Sequence, residues 1–199
     1  ATMDTFVAER QLNGAGLVVV DRAEGTVFEH YVGEEFGPDH LSLIASSSKM
    51  ITAGVLMRLH DDGLLDVDAP VVEAVDWDGA EVNDQVTPAQ LISNSSGLVG
   101  LLPDPTYSPY ICQYLVAGSL SECGRTIFST AADDADVVPP DTEFRYGGAQ
   151  WQVAGAVAEM VSNKRWAELI EEIYVEPCGL ETLAYNNHFA QPVSTGGPF

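Results

Sequence analysis

The sequence predicts an α+β fold. Two β-rich runs stand near its start, the apolar spacing turns helical from Ser46 onward, and no internal repeat or shift in composition divides the 199 residues. With 46% hydrophobic residues the chain can bury an ordinary core, and one domain over 1–199 is expected.

Gly16-Leu-Val-Val-Val-Asp21 and Thr26-Val-Phe-Glu-His-Tyr-Val32 are rich in β-branched and aromatic residues, and Arg22-Ala-Glu-Gly25 supplies a turn between them. They predict an antiparallel hairpin over 16–32. Gly14-Ala-Gly16 precedes a strand instead of opening a helix after one, so it lacks the setting of a dinucleotide loop. From Ser46 on, Met50, Val55, Leu56 and Leu59 recur near helical spacing, and Gly63 is placed to stop the helix after Asp61-Asp62. Asp66 and Asp68 then mark a solvated turn, since their spacing does not fit a calcium loop.

Thr87 before Pro88 is an N-cap followed by proline in the first turn, so a short helix is expected from there to about Asn94–Gly97. The stretch 103–140, rich in Pro, Gly, Ser and Asp, reads as a long irregular excursion with one helix around Tyr110–Val116, of the kind that walls binding sites. Its run Asp133-Asp134-Ala-Asp136 reads as a wet loop. Gly148 to Ser162 carries Trp151, Ala154, Val157, Ala158 and Val161 as the stripe of a packed helix. Trp166 to Tyr174 reads as a shorter helix, broken by Pro177-Cys-Gly179. A largely helical region over about 52–172 follows the hairpin.

Thirty Asp and Glu against eight Lys and Arg give a net charge of −22, which repels phosphate backbones and anionic lipid surfaces. Nucleic acid and membrane are therefore not expected as partners. No apolar run reaches the ~20 residues that span a bilayer, and the start lacks a basic segment followed by an apolar one. A secreted or periplasmic chain with its signal peptide removed is expected. Cys112, Cys123 and Cys178 form no Cys-x-x-Cys and the histidines stand at no ligand spacing, so neither metal nor cofactor is expected. Cys112 and Cys123 flank Gln113 to Glu122 and can close that segment as a disulfide, leaving Cys178 free; three buried thiols are the alternative.

Ser46-Ser-Ser-Lys49 places a hydroxyl and an ammonium three residues apart at a helix start, where positions i and i+3 share a face. A serine hydroxyl becomes a good nucleophile when a base takes its proton, and a lysine can be that base. The helix N-terminus stabilises the alkoxide and disfavours the ammonium. Taken alone, the pair reads more readily as an N-cap serine and a solvated lysine than as a catalytic couple. Lys49 is one of only two lysines in the chain. No Gly-x-Ser-x-Gly elbow is present, and His30, His40, His60 and His188 fall at unrelated places, which disfavours a Ser-His-Asp triad. Trp151 and Trp166 read as packing residues.

The context adds a resemblance. Ala45-Ser-Ser-Ser-Lys-Met-Ile-Thr-Ala53, Gly63-Leu-Leu-Asp66 and Asp68-Ala-Pro-Val71 resemble the active-site helix and its sequel in class C β-lactamases, their esterase relatives and D-alanyl-D-alanine carboxypeptidases. Thr87 to Leu98 is similar to that group's segment ending in His-Thr-Ser-Gly-Leu, with Asn94 and Ser95 in place of His and Thr. Arg145-Tyr146 and the helix after Gly148 are similar to its Tyr-x-Asn block, and Val175 to Leu180 to the stretch beyond.

The resemblance covers almost the whole chain. It implies an antiparallel sheet flanked by helices beside a mainly helical lobe, and acyl transfer through a covalent ester. In that scheme Ser46 is the nucleophile, Lys49 its base and Tyr146 the proton shuttle to the leaving group. Gly148, Asn94 and Ser95 are carried over as substrate-binding positions.

Two departures qualify it. Gly148 replaces the family's asparagine, which tilts the expected substrate from β-lactams toward esters, with D-amino-acid peptides next. The sequence ends at Phe199, before the family's third motif on a core strand, so the resemblance implies a C-terminally incomplete chain, arising from truncation, nicking or a second chain that carries the remainder. The expected function is a serine hydrolase of small esters or peptides. The alternative is a non-catalytic relative that presents the same cleft to a ligand.

Overall fold

The Asp21 carboxylate accepts hydrogen bonds from the backbone N–H groups of Ala23 and Glu24 (2.7 and 3.0 Å), an Asx turn that folds the first β-rich run back on the second. Gly25, with φ of +74°, completes the reversal in a conformation glycine adopts without penalty. The strands are β1, Ala15–Asp21, and β2, Gly25–Val32, antiparallel, with a bulge between Val19 and Val20. The computed structural model describes residues 2–34, 36–101, 108–114, 118–130 and 137–185. The acidic run at 133–136 and His188 lie outside the described residues.

The chain packs as two compact units, Ala1–Ile44 and Ala45–Phe199. In the first, helix α1, Thr2–Glu9, accompanies the hairpin, with Val7 buried and His30 Nε2 within 3.3 Å of the Asp4 carboxylate. Leu17, Val18, Val19 and Val20 of β1 are all exposed.

The second unit is helical. It contains α2 (Ser48–Asp61), α3 (Val71–Ala74), α4 (Pro88–Ile92), α5 (Leu120–Phe128), α6 (Ala149–Ser162), α7 (Trp166–Ile170) and α8 (Glu176–Cys178), with a π-helical turn Glu171–Val175 joining the last two. Among the described residues no helix is long and apolar enough to cross a membrane, and no cluster of three or more metal-ligating side chains gathers. Thr87 and Gln90 form a reciprocal capping box at the start of α4, as the Thr-Pro pair predicts.

Three details depart from the sequence reading. A further helix, α5, stands inside the supposed irregular excursion, begun by a second capping box of Ser119 and Glu122. The segment expected as a helix around Tyr110–Val116 is a 3-10 helix over Ser108–Tyr114, with 115–117 outside the described residues. Pro177 does not itself interrupt the helical stretch, which runs from α7 through the π-helical turn into α8; within the segment expected to break it, Gly179, at φ of +61°, ends it.

The core lies where α6 crosses α2, α4 and α5. Val55, Leu56, Leu91, Ile127, Phe128, Val153, Ala154 and Val157 are fully buried, each apolar side chain of Val or larger size contributing roughly 1.5–3 kcal/mol. Phe128 meets Trp77 edge-on at 5.9 Å. Helices α5 and α6 approach closely because residue 124 is glycine: a Cβ there would overlap that of Ala156. The Cys112–Cys123 disulfide, the first of the two alternatives above, joins the 3-10 helix to α5, and Cys178 is free and exposed.

Candidate active site

Ser46 sits in a 3-10 turn, Ala45–Ser47, that runs directly into α2. Ala45 holds a φ of +43°, unusual for a residue with a side chain, and its carbonyl accepts from the Ser48 hydroxyl at 2.7 Å, fixing the turn. The i, i+3 spacing then does what the sequence requires: Lys49 Nζ donates to Ser46 Oγ at 3.1 Å. Two tyrosines from far along the chain brace this helix. Tyr185 donates to the Ser48 carbonyl at 2.7 Å and stands 2.8 Å from the Thr52 hydroxyl, while Tyr174 donates to the Ile51 carbonyl at 3.1 Å.

Tyr146 also reaches Ser46, its phenol donating to Ser46 Oγ in a short hydrogen bond. A hundred residues of chain separate the two, so the contact depends on how residues 138–146 are laid down. They run beside the 94–101 loop, joined by backbone hydrogen bonds from Val138 N to Gly97 O (3.1 Å), Asp141 N to Ser95 O (2.8 Å), Arg145 N to Asn94 O (2.7 Å) and Leu101 N to Tyr146 O (2.7 Å). Gly97 has a φ of +80°, and a Cβ on it would overlap the Val138 carbonyl, so glycine is required for this approach.

Asn94 and Ser95 hold this loop through their side chains. Asn94 is buried in the left-handed region at φ of +60°, and its Oδ1 accepts from Gln150 Nε2 at 2.8 Å and from Trp151 Nε1 at 3.1 Å. Ser95 donates to Asp141 Oδ1 at 2.8 Å, while Gln90 Nε2 donates to the other oxygen of that carboxylate at 2.7 Å. Gln150, only 1% exposed, also donates to the Arg145 carbonyl at 2.7 Å and accepts from the Ser96 hydroxyl at 2.8 Å. A buried amide so fully bonded fixes the residue next to Tyr146. Gln150 carries no sequence signal that separates it from any surface glutamine.

Trp151 is more than a packing residue. Its ring centre lies 5.7 Å from Lys49 Nζ, and that of Tyr146 lies 4.9 Å away, so two aromatic faces border the ammonium. Among the described residues Lys49 makes no ion pair. The phenol of Tyr146 is held below its ordinary value, first by its hydrogen bond to Ser46 and then by its hydrogen bond to and attraction by Lys49, with partial burial opposing. Gly148 forms the N-cap of α6, whose first turn follows Tyr146 directly. Together Ser46, Lys49 and Tyr146 form a chain of groups through which a proton can leave a serine hydroxyl.

Comparison with known proteins places the fold in a family. The Beta-lactamase family model matches residues 1–196. Penicillin-binding protein 4 of Amycolatopsis lactamdurans is 27% identical over 186 residues, covering 89% of this chain and 46% of that protein. A crystal structure from Bacteroides dorei of a β-lactamase-type protein is 27% identical, covers 89% of this chain and 50% of its own, and superposes with a TM-score of 0.73. The D-amino acid amidase of Ochrobactrum anthropi, 22% identical, shares the fold with a TM-score of 0.68 over 90% of this chain and 48% of its own. The chain thus spans about half the length of the relatives it matches. By the extent of the family match, the chain belongs to the β-lactamase family.

Proposed function

We propose that this chain carries the nucleophile of a serine hydrolase that works through a covalent acyl-enzyme, with Ser46 as nucleophile, Lys49 as base and Tyr146 as proton shuttle. The observation that carries the reading is the convergence of Lys49 Nζ and the Tyr146 phenol on one atom, Ser46 Oγ.

Lys49 takes the Ser46 proton as Oγ attacks the carbonyl carbon of the substrate. The Ser46 backbone N–H, at the positive end of α2, contributes one donor to the resulting oxyanion. When the tetrahedral intermediate collapses, the proton removed from Ser46 passes through Tyr146 to the leaving group, and water later releases the acyl group from Ser46. The lowered phenol of Tyr146 suits this two-way traffic.

Esters are the favoured substrates, with D-amino-acid amides and peptides next and β-lactams after them, because Gly148 offers no side chain to a substrate amide. The Cys112–Cys123 disulfide supports a secreted or periplasmic setting. A small ester or peptide is the partner expected at the site, and a second chain carrying the remaining part of the fold is a further candidate partner.

The test is intact mass after incubation with a fluorophosphonate, on the wild type and on Ser46→Ala, followed by peptide mapping. One adduct on Ser46, absent from the variant, is expected. An unlabelled protein, or an adduct elsewhere, sinks the reading.

A further inference from the structure

Ser46 and Lys49 stand on two sides of a junction. Ser46 belongs to the 3-10 turn Ala45–Ser47 and Lys49 is the second residue of α2, so the reach of Nζ to Oγ depends on how the first peptides of the α-helix are set. A serine at a helix start ordinarily fixes that start from an extended backbone, its hydroxyl turned back to a backbone N–H. Neither serine before α2 serves in that way. The Ser46 hydroxyl is engaged by Lys49 and Tyr146, and Ser47 is itself helical, with φ of −64° and ψ of −21°. Helices α4 and α5, by contrast, begin with capping boxes.

The start of α2 is held from outside, at its carbonyls. The Ser48 carbonyl belongs to the peptide that joins Ser48 to Lys49, and it accepts from the Tyr185 phenol at 2.7 Å. Thr52 Oγ1 stands 2.8 Å from that phenol and donates to the same carbonyl at 3.2 Å. One turn further, the Ile51 carbonyl accepts from the Tyr174 phenol at 3.1 Å. Positions 48 and 51 are i and i+3, so the two phenols grip one side of the helix. Each tyrosine is held in turn. Trp166 meets the Tyr185 ring edge-on at 5.4 Å, and Tyr174 lies in the π-helical turn Glu171–Val175. Gly54 leaves room for the second contact, since a Cβ there would overlap the Tyr174 hydroxyl. Burial raises both phenols above their ordinary value, which keeps both protons available for donation at neutral pH.

We propose that Tyr174 and Tyr185 are positioning residues of the reaction, fixing the first turns of α2 so that the Lys49 amine stays aimed at the Ser46 hydroxyl. The assignment rests on the acyl-enzyme reading above. Without a phenol the Ser48 or Ile51 carbonyl is free to tilt, and the Nζ–Oγ distance changes with it. A misplacement of ~1 Å between reacting groups is enough to slow a reaction by up to about 10²-fold. The effect falls on the rate of proton removal from Ser46, and not on the affinity for whatever reagent meets it.

The experiment follows fluorophosphonate labelling of Ser46 over a range of reagent concentrations, which separates the maximal labelling rate from the half-saturating concentration. Proteins compared are the wild type, Tyr185→Phe, Tyr174→Phe and Gly54→Ala. The control is Asn83→Ala, which removes a side-chain hydrogen bond to the Phe128 carbonyl at the end of α5. Urea unfolding gives the stability of each. The maximal rate is expected to fall about tenfold in Tyr185→Phe and about threefold in Tyr174→Phe, with the half-saturating concentration unchanged. It should stay at the wild-type value in Asn83→Ala, whatever stability that variant loses. Gly54→Ala displaces the Tyr174 phenol without altering it and should match Tyr174→Phe. Added to Tyr174→Phe it should cost little more, because the hydroxyl it would meet is gone.

Wild-type rates in folded Tyr185→Phe and Tyr174→Phe overturn this inference alone. So does an equal fall in Asn83→Ala, which would make the loss one of stability. Gly54→Ala carries the same test if either phenylalanine variant fails to fold. A wild type that does not label on Ser46 overturns the acyl-enzyme reading and this inference with it.

Discussion

The indole N–H of Trp151 donates to Asn94 Oδ1 at 3.1 Å while the same ring holds its centre 5.7 Å from the Lys49 ammonium. One residue of α6 therefore links the loop that lines up Tyr146 with the base that serves Ser46. Its amide partner is itself fixed by Gln150, so the link runs from the buried core to the charged group.

The two halves of that link can be separated. Trp151→Leu removes ring and donor together and should slow fluorophosphonate labelling about tenfold, the combined weight of a cation–π contact of ~0.5–1 kcal/mol and a hydrogen bond of ~1 kcal/mol. Trp151→Phe keeps a ring beside Lys49 and should lose less. Equal losses in the two variants would leave the aromatic face no part in holding Lys49.

Tyr146 titrates below a free tyrosine, and Ser46 is the first cause. Ser46→Ala should therefore raise the Tyr146 phenol toward its ordinary value of ~10. The sign follows from linkage: a depressed folded pKa contributes stability that is present above the unfolded value and is lost as pH falls through the folded one. Alkaline titration of tyrosinate absorbance, with Tyr146→Phe as the blank, measures both proteins. A lower titration in Ser46→Ala would contradict the geometry. Tyr146→Phe itself should cut turnover about 10²- to 10⁴-fold, the range of a lost general acid–base group.

Gly97→Ala tests the route by which Tyr146 reaches the serine. The substitution puts a side chain at φ of +80° and into the Val138 carbonyl. Left-handed strain of ~1–2 kcal/mol adds to the overlap, so a loss of at least about 2 kcal/mol is expected in urea unfolding. Labelling of Ser46 should fall with it, since residues 138–146 can no longer lie along the loop.

The disulfide closes a short loop, with 11 residues of separation. Replacing Cys112 and Cys123 by serine should cost about 2–3 kcal/mol on the loop-entropy scale, read from the urea midpoint. Dithiothreitol should bring the wild type to the same midpoint. A wild type indifferent to reductant would mean that the bridge does not hold this segment in solution.

Much of the local structure was legible from residues alone. The hairpin, the start and stop of α2, the capped start of α4 and the long α6 all follow from patterns within a few residues of one another. Helix α5 was legible too, since Ser119-x-x-Glu122 is a capping-box signature, yet the surrounding Pro and Gly masked it. Pro177-Cys-Gly179 marks the end of the last helix as the sequence suggests, but the residue that ends it is Gly179, in the left-handed conformation, and not the proline.

The pairing of Ser46 with Lys49 belongs to the sequence, because three residues on a helix put two side chains on one face whatever else the chain does. The remainder of the site belongs to the tertiary structure. Tyr146 meets Ser46 across a hundred residues only because the 94–101 loop, held by Gln150 and opened by Gly97, lays residues 138–146 against it. Trp151 borders Lys49, and Tyr185 holds the Ser48 carbonyl, only because packing brings their segments to α2. Composition and spacing report neighbours along the chain, whereas a tyrosine bonded to a carbonyl 137 residues before it is a fact of packing, decided when the core closes.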